Sequence, residues 1–295
     1  MINAWEEVAN LKLSKGSQFG LVIVALMTLV AILAETIAPY DPMQVVLKDS
    51  LQGPNYKHLM GTDLLGRDIL SRIIFGARAS FLIGVIATSI SLLIGIMVGS
   101  VSGYYGGWVD SLVMRLTDIF SAFPYFLMAI IIMTFFEPSM ISVFLVLGIV
   151  GWTNYARLVR GQVILVKVSS YVEAARSIGA KDGRIILYHV FPNILSPLIV
   201  YTTMNIAGVI LAEAGLSFLG LGVQPPTPSW GIMLSEGKDF IFNAPWLIFW
   251  PGAALLFSVI GYNLLGYGLR DRLDPRSKQG GESNGSRLVN SCQRS

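Results

Sequence analysis

Few residues of this chain have the types and spacing that catalysis needs. A loop that binds nucleotide phosphates requires the pattern G-x-x-x-x-G-K-[ST], because its backbone N–H groups surround the phosphates. One Gly-Lys dipeptide is present, Gly237-Lys238, but Asp239 follows it where the pattern needs Ser or Thr, and Ile232 stands where the first glycine should be. The sequence therefore predicts no nucleotide site in this chain.

Residues for metal or nucleophile chemistry are also scarce. Metal sites are built from clustered His, Cys and carboxylate ligands. The two histidines, His58 and His189, are far apart in the sequence, and the single cysteine, Cys292, lies in a polar tail. No nucleophile, base and orienting residue form a recognisable trio. We expect a chain that is not an enzyme on its own and that binds no metal or cofactor.

The composition is that of a membrane protein. Of the 295 residues, 54% are hydrophobic and 13% are charged, whereas a soluble domain has about 25% charged residues. A further run, 214–237, in which Glu236 is the one charged residue, contains Pro225, Pro226 and Pro228 and is expected to form a loop. We predict an all-α membrane protein with six transmembrane helices, since a span needs about 20 apolar residues. The six charge-free runs that fit cover residues 16–34, 79–109, 119–136, 138–156, 190–212 and 240–269.

The distribution of Lys and Arg predicts the orientation. With the N-terminus in the cytoplasm, 15 of the 21 Lys and Arg residues fall on inner segments, as the positive-inside rule requires. We expect a cytoplasmic lead (1–18), a first transmembrane helix with a large outer loop (19–78) and a core transmembrane domain (79–270). A cytoplasmic and disordered tail (271–295) follows.

A polar insert interrupts the apolar segments at residues 171–192 and is predicted to face the cytoplasm. Ser170 and Glu173 have the spacing of a capping box, in which each side chain accepts a hydrogen bond from a backbone N–H group. Gly179 suits the position after the end of this helix, and Asp182 could cap a second short helix. The insert is therefore expected to be a short helix, a turn and a second short helix at the membrane surface.

Three further helical features are predicted in the first half of the chain. Apolar residues recur at helical spacing after Asp68, which indicates either a helix lying on the membrane surface or a solvated helix that leads into the second span. Arg115 and Asp118 are three residues apart and could form an ion pair on one helix face. Small residues at four-residue steps in the second span predict a close helix–helix contact: Ala87, Ser91, Gly95, Gly99 and Gly103.

One carboxylate falls within a predicted span. Glu213 sits in the outer part of the fifth span, where an ionisable residue suggests a functional site. It could line a translocation path or bind a substrate amine, and it could equally hydrogen-bond backbone near the interrupted end of that span. Glu35 is expected to be an interfacial residue.

The insert resembles the EAA loop of permease subunits in ATP-binding-cassette (ABC) importers. The resemblance rests on Glu173-Ala174-Ala175, on Gly179 and on Pro192 thirteen residues later, although His189 and Phe191 depart from the usual Ile and Leu. In that family the EAA loop, here residues 158–192, forms a coupling helix that docks on a cytoplasmic ATPase. The residues that the resemblance assigns to coupling are Tyr171, Glu173, Ala174, Ala175, Ser177, Ile178, Gly179 and Ala180.

Further motifs are similar to one branch of this family, which handles dipeptides, oligopeptides or nickel. They cover residues 61–68 (GTDLLGRD), 76–78 (GAR), 103–110 (GYYGGWVD) and 216–231 (LSFLGLGVQPPTPSWG). Together with the EAA loop they extend over most of residues 20–275, in the expected order, and they resemble the second of that branch's two permease subunits.

The resemblance implies a type I ABC importer permease fold in a bacterial or archaeal plasma membrane. It also implies a second homologous permease, two ATPase subunits that bind ATP and Mg²⁺, and an extracytoplasmic solute-binding protein. Two alternatives are a secondary transporter driven by an ion gradient, with Glu213 as its proton site, and a membrane scaffold. The solute could be a dipeptide, a longer peptide, nickel or a peptide-like conjugate.

Overall fold

The computed structural model describes residues 14–273, and in this part of the chain every regular element is helical. Cys292 and most of the predicted tail lie outside the described residues, as does most of the predicted lead. The α-helices are α1 (Lys15–Ile32), α2 (Ala34–Ile37), α3 (Ile69–Tyr105), α4 (Gly107–Ser121), α5 (Tyr125–Met133), α6 (Met140–Lys167), α7 (Ser170–Ser177), α8 (Asp182–Ile185), α9 (Phe191–Phe218), α10 (Trp230–Gly237) and α11 (Trp246–Leu273).

Five helical segments are long and apolar enough to cross a membrane, and a bent pair brings the number to six if it forms one span. The pair is α4 and α5, whose axes differ by 78°. The predicted third span, 119–136, is therefore a broken element. Pro124 explains the break, because proline disfavours helical geometry at the preceding residue, Phe123, and lacks the N–H group that a helix needs. Pro124 itself is the N-cap of α5.

Two predicted boundaries are corrected by the structure. The run 214–237 is not wholly a loop, because α9 continues to Phe218 and Ser229 caps a separate helix, α10, by accepting a hydrogen bond from the backbone N–H of Ile232. The predicted surface helix after Asp68 is the beginning of α3. Asp68 caps α3 through Ser71 N–H, so the segment leads into the second span as one of the two predictions had it. Ile69 and Arg72 are buried, however, so the segment is neither a surface helix nor solvated.

α3 packs along α6 through the predicted small-residue stripe. A Cβ atom added to Gly95 would lie 2.2 Å from Cβ of Tyr155, and one added to Gly99 would lie 2.5 Å from the carbonyl oxygen of Ala156. Ser91 donates a hydrogen bond of 2.7 Å to the carbonyl of Gly148. The small side chains therefore allow two backbones to approach more closely than larger residues would permit.

The ion pair predicted between Arg115 and Asp118 is not formed. Asp118 pairs instead with Arg157 of α6, at 2.8 Å, so the contact joins two helices rather than two turns of one helix. Spacing along α4 indicated that Arg115 was within reach, but the sequence does not show which residues of α6 face Asp118.

Candidate coupling site

Helix α7 lies at the centre of residues 158–192, the segment that resembles an EAA loop and keeps that name below, directly after the end of α6. The predicted capping box is wrong. The N-cap is Ser169, which makes no side-chain cap, and its hydroxyl donates 2.6 Å to the carbonyl of Val166. Ser170 is already the first helical residue. Glu173 is consequently not needed as a cap, and its side chain is exposed.

The other end of α7 is built as predicted around Gly179. This residue has φ of +82°, in the left-handed region that favours glycine. Its N–H donates to the carbonyl of Arg176 at 3.0 Å, and the N–H of Ala180 donates to the carbonyl of Ala175 at 3.1 Å. This pair of bonds is the Schellman arrangement, which satisfies the last carbonyls of the helix and turns the chain away from the helix axis.

α7 has one buried face and one exposed face. Val172 and Ala175 are buried, and Val172 belongs to an apolar cluster with residues of α3, α6 and α9. On the other side, Ile178 is 86% exposed. An open groove of about 600 Å³ runs along this region. Six of the eight predicted coupling residues line it, together with Arg184 and His189: Tyr171, Ala174, Ala175, Ile178, Gly179 and Ala180.

The second short helix of the insert does not stand alone. Asp182 is the first residue of α8 rather than its cap, which is Lys181. A π-helical turn, Ile186–Val190, then leads directly into α9. Pro192 lies in the first turn of α9, where its missing N–H group is tolerated. The EAA loop is therefore mechanically continuous with a transmembrane helix at its C-terminal end.

Tyr104, which the sequence analysis did not single out, joins α3 to this loop. Its hydroxyl donates a hydrogen bond of 2.6 Å to Oδ1 of Asp182 and lies 3.4 Å from a guanidinium nitrogen of Arg176. The hydrogen bond with Tyr104 raises the pKa of Arg176 above its ordinary value, so this side chain stays cationic. The only sequence signal for Tyr104 was the motif at 103–110, and the sequence does not show which distant residues this motif contacts.

Glu213 is fully buried in α9. Its carboxylate accepts hydrogen bonds from the hydroxyls of Ser217, at 2.8 Å, and Ser80, at 3.1 Å. Of the two predicted roles, local hydrogen bonding near the end of the span agrees with this geometry, although the partners are side-chain hydroxyls rather than backbone.

A second polar group was missed by the sequence analysis, and we name it the charge cluster: Asp63, Arg67, Arg72 and Glu236. Arg67 contacts Asp63 at 2.6 Å and Glu236 at 3.1 Å, and Arg72 contacts Glu236 at 2.7 Å and also Asp63. The cluster borders a cavity of about 430 Å³. It lies at the start of α3, whereas Tyr104 lies at its end. Because α3 has 37 residues and rises about 1.5 Å per residue, the two regions are at opposite ends of the helix bundle.

Comparison with known proteins identifies the family. Residues 91–279 match the model of the binding-protein-dependent transport system inner membrane component, and residues 3–54 match the N-terminal transmembrane domain of oligopeptide transport permease C. The dipeptide transport system permease protein DppC of Alkalihalophilus pseudofirmus is 41% identical over 94% of this chain and 91% of its own length. The oligopeptide transport system permease protein OppC of Bacillus subtilis is 39% identical, over 94% and 92%.

Two further matches extend this result. The glutathione transport system permease protein GsiD of Escherichia coli O6:K15:H31 is 44% identical over 86% of this chain and 84% of its own length. An inward-facing structure of the MetNI methionine ABC transporter covers 68% of this chain and 94% of the matched chain, with a TM-score of 0.56 and 16% identity, and so shares the fold. The chain belongs to the binding-protein-dependent transport system inner membrane component family and is a multi-pass permease subunit of an ABC importer rather than an enzyme.

Proposed function

We propose that this chain forms half of the pathway through which a plasma-membrane importer takes up peptides or a peptide-like solute such as glutathione. The other half would be a second, homologous permease. Two cytoplasmic ATPase subunits would bind ATP and Mg²⁺, and an extracytoplasmic binding protein would deliver the solute. The named relatives support a peptide solute over nickel, because they are dipeptide, oligopeptide and glutathione permeases.

The observation that carries the coupling role is the exposed groove along α7. A helix that exposes a small residue, Ala174, beside Gly179 and Ala180 leaves space for another protein to approach closely. Glu173 points from the same helix, is exposed, and makes no hydrogen bond or ion pair through its carboxylate with another residue of the described range 14–273. We infer that Glu173 pairs with a basic residue of the ATPase.

The proposed orientation places the EAA loop in the cytoplasm and α10 on the outside. A cysteine introduced at Ser177, which is exposed on α7, should be protected from a membrane-impermeant maleimide in intact cells and labelled after permeabilisation. A cysteine at Lys238, which is exposed after α10, should be labelled in intact cells. Cys292 would first be replaced by Ser. The reverse pattern of labelling would contradict both the orientation and the coupling role.

Replacement of Glu173 by Gln tests the coupling role. The structure shows no capping by Glu173, so the helix should lose at most the favourable interaction with its dipole, about 0.3–1 kcal/mol. Truncating one partner of a buried interfacial charge pair costs about 2–5 kcal/mol. We expect Glu173→Gln to insert normally and to lose most ATP-driven uptake in reconstituted vesicles.

The matched control is Glu137→Gln, which makes the same change at an exposed carboxylate between α5 and α6. It should leave uptake and ATPase stimulation unchanged. Co-purification of the ATPase would be measured for both variants, because weaker recovery of Glu173→Gln identifies docking as the lost step. Wild-type uptake and ATPase stimulation in Glu173→Gln would refute the charged contact.

A further inference from the structure

Helix α7 is held to the transmembrane helices by two different kinds of contact. The first is apolar: Val172 of α7 and Ile185 of α8 are completely buried in the cluster that contains Val163 of α6 and Ile194 of α9. Apolar contacts are non-directional. They keep the loop on the bundle, but they do not by themselves fix its angle or its position along α3.

The second contact is polar and centres on Tyr104. The tyrosine is 4% exposed and stands in the last turn of α3, one residue before that helix ends. Its hydroxyl lies between the carboxylate of Asp182, at the start of α8, and the guanidinium of Arg176, on α7. An O–H to carboxylate bond of 2.6 Å is in the range of strong, charge-assisted hydrogen bonds, and such bonds are directional.

Two cationic side chains also contact Tyr104, through its aromatic ring and its backbone carbonyl. The ammonium of Lys167, the last residue of α6, lies 5.7 Å from the ring centroid, and the guanidinium carbon of Arg176 lies 5.9 Å from it. Both distances are within the range of cation–π attraction. Lys167 also donates a hydrogen bond to the backbone carbonyl of Tyr104. One tyrosine therefore contacts residues of α6, α7 and α8.

The turn of α3 that carries Tyr104 is itself fixed to other helices. Ser102, two residues earlier, donates 2.5 Å to Asp110 of α4, and Arg160 of α6 contacts the same carboxylate at 2.5 and 2.6 Å. This end of α3 is consequently the place where the helices adjoining the loop meet through directional bonds. The Tyr104 hydroxyl bonds Arg176 of α7 and Asp182 of α8 to this end of α3.

We propose that Tyr104 is a positioning residue that links movement of the coupling helix to movement of α3, through its hydrogen bonds with Asp182 and Arg176. This inference rests on the proposed coupling role of α7 and names the contact inside the chain that transmits it. The apolar contacts would keep α7 attached while the ATPase subunits move, and the Tyr104 hydroxyl would make α3 follow.

Replacement of Tyr104 by Phe removes the hydroxyl and keeps the ring. The loop should remain packed, so the complex should assemble and still hydrolyse ATP. Losing a hydrogen bond to a charged group changes a rate constant by a factor on the order of ten. We expect the number of solute molecules imported per ATP hydrolysed to fall by about that factor. Asp182→Asn, which keeps an acceptor but removes the charge, should give a smaller decrease of the same kind.

The matched control is Tyr105→Phe, because Tyr105 is adjacent, is 56% exposed and has no hydrogen bond through its hydroxyl with another residue between 14 and 273. It should leave the ratio of uptake to ATP hydrolysis unchanged. In the double variant Tyr104→Phe/Asp182→Asn, the second change should add little, because both substitutions remove one link. A merely structural role would reduce recovery of the complex and would not change this ratio.

The outcomes separate this inference from the proposed function. ATP-driven uptake by the wild type, together with an unchanged ratio in Tyr104→Phe, would overturn the inference alone. An absence of ATP-driven uptake in the wild type would overturn the proposed function instead. If Tyr104→Phe is not recovered as a complex, Asp182→Asn decides: a reduced ratio supports the link, and a wild-type ratio overturns it.

Discussion

The charge cluster and the EAA loop are polar regions at opposite ends of the helix bundle, and they differ in how far their charged side chains are buried and paired. In the charge cluster, Asp63, Arg67 and Arg72 are each at most 5% exposed, and every one of them has an oppositely charged partner within the chain. In the EAA loop, Glu173 and Arg176 are exposed on α7. The first region therefore contributes to the stability of the fold, whereas the exposed carboxylate of Glu173 suits the contact with another protein that we propose for the second.

Burial explains why the charged groups of the cluster are paired, although Nε of Arg72 is buried without a hydrogen-bond partner among the described residues. A charged group removed from water loses several kcal/mol of solvation, and only close pairing with further hydrogen bonds offsets this cost. Asp63 meets the requirement, because it also accepts hydrogen bonds from the backbone N–H groups of Leu65, at 2.8 Å, and Arg67, at 2.9 Å. An exposed charge such as that of Glu173 has no comparable requirement.

Replacement of Arg72 by Ala should have the largest effect on stability. Removing one partner of a buried ion pair costs about 3–5 kcal/mol, because it leaves the remaining charge uncompensated. Arg72 serves both Asp63 and Glu236, which joins the start of α3 to α10. We expect low recovery of the subunit from membranes and a lower midpoint of thermal unfolding of the purified complex.

The control for this experiment is Arg78→Ala on the same helix. Arg78 pairs with Glu35 at 2.8 Å, but the two side chains are 47% and 73% exposed, and exposed pairs contribute about 0–1 kcal/mol. Equal losses of stability in the two variants would mean that burial does not distinguish the charge cluster from an ordinary surface pair.

The architecture was predictable from the sequence because membrane spans follow from composition. The apolar runs predicted the helices, and four-residue steps of small side chains predicted a close contact on α3, whose partner the structure shows to be α6. The exact limits of the helices were harder to predict. A helix that leads from Asp68 into the second span was one of two predictions, but its burial was not predicted, because Arg72 is neutralised by partners that come from distant parts of the chain.

Predictions for α7 also succeeded where they depended on local sequence, and they failed where they depended on an exact boundary or on distant residues. The exit from α7 depends on Gly179 alone and was predicted correctly, because the left-handed conformation is a local property. The capping box depended on whether the N-cap is Ser169 or Ser170, and a difference of one residue was enough to make the prediction wrong. Tyr104 and Asp182 are 78 residues apart, so no local pattern connects them.

A pair of glycines provides a finer comparison of the two regions. Gly66, next to the charge cluster, and Gly179, at the end of α7, both have positive φ, of +72° and +82°. A side chain in this conformation costs about 1–2 kcal/mol. At Gly66 a Cβ atom would also lie 1.9 Å from the carbonyl oxygen of Val46, so overpacking adds about 1–3 kcal/mol. Gly66→Ala should therefore lower the unfolding midpoint of the complex clearly, and an unchanged midpoint would show that this loop is adaptable.

Gly179→Ala should have the smallest effect on stability, because nothing lies within 4 Å of the added Cβ atom. Only the backbone strain of about 1–2 kcal/mol remains, and it falls on an exposed helix end that can open locally without unfolding the bundle. We expect an unchanged unfolding midpoint but weaker association with the ATPase, by up to about tenfold for 1.4 kcal/mol, measured by titrating the ATPase against vesicles. Gly179→Asn should restore most of this affinity, since Asn tolerates the left-handed conformation better than Ala. If Gly179→Ala instead lowered the midpoint as much as Gly66→Ala, the EAA loop would be part of the stable fold, and its contrast with the charge cluster would be lost.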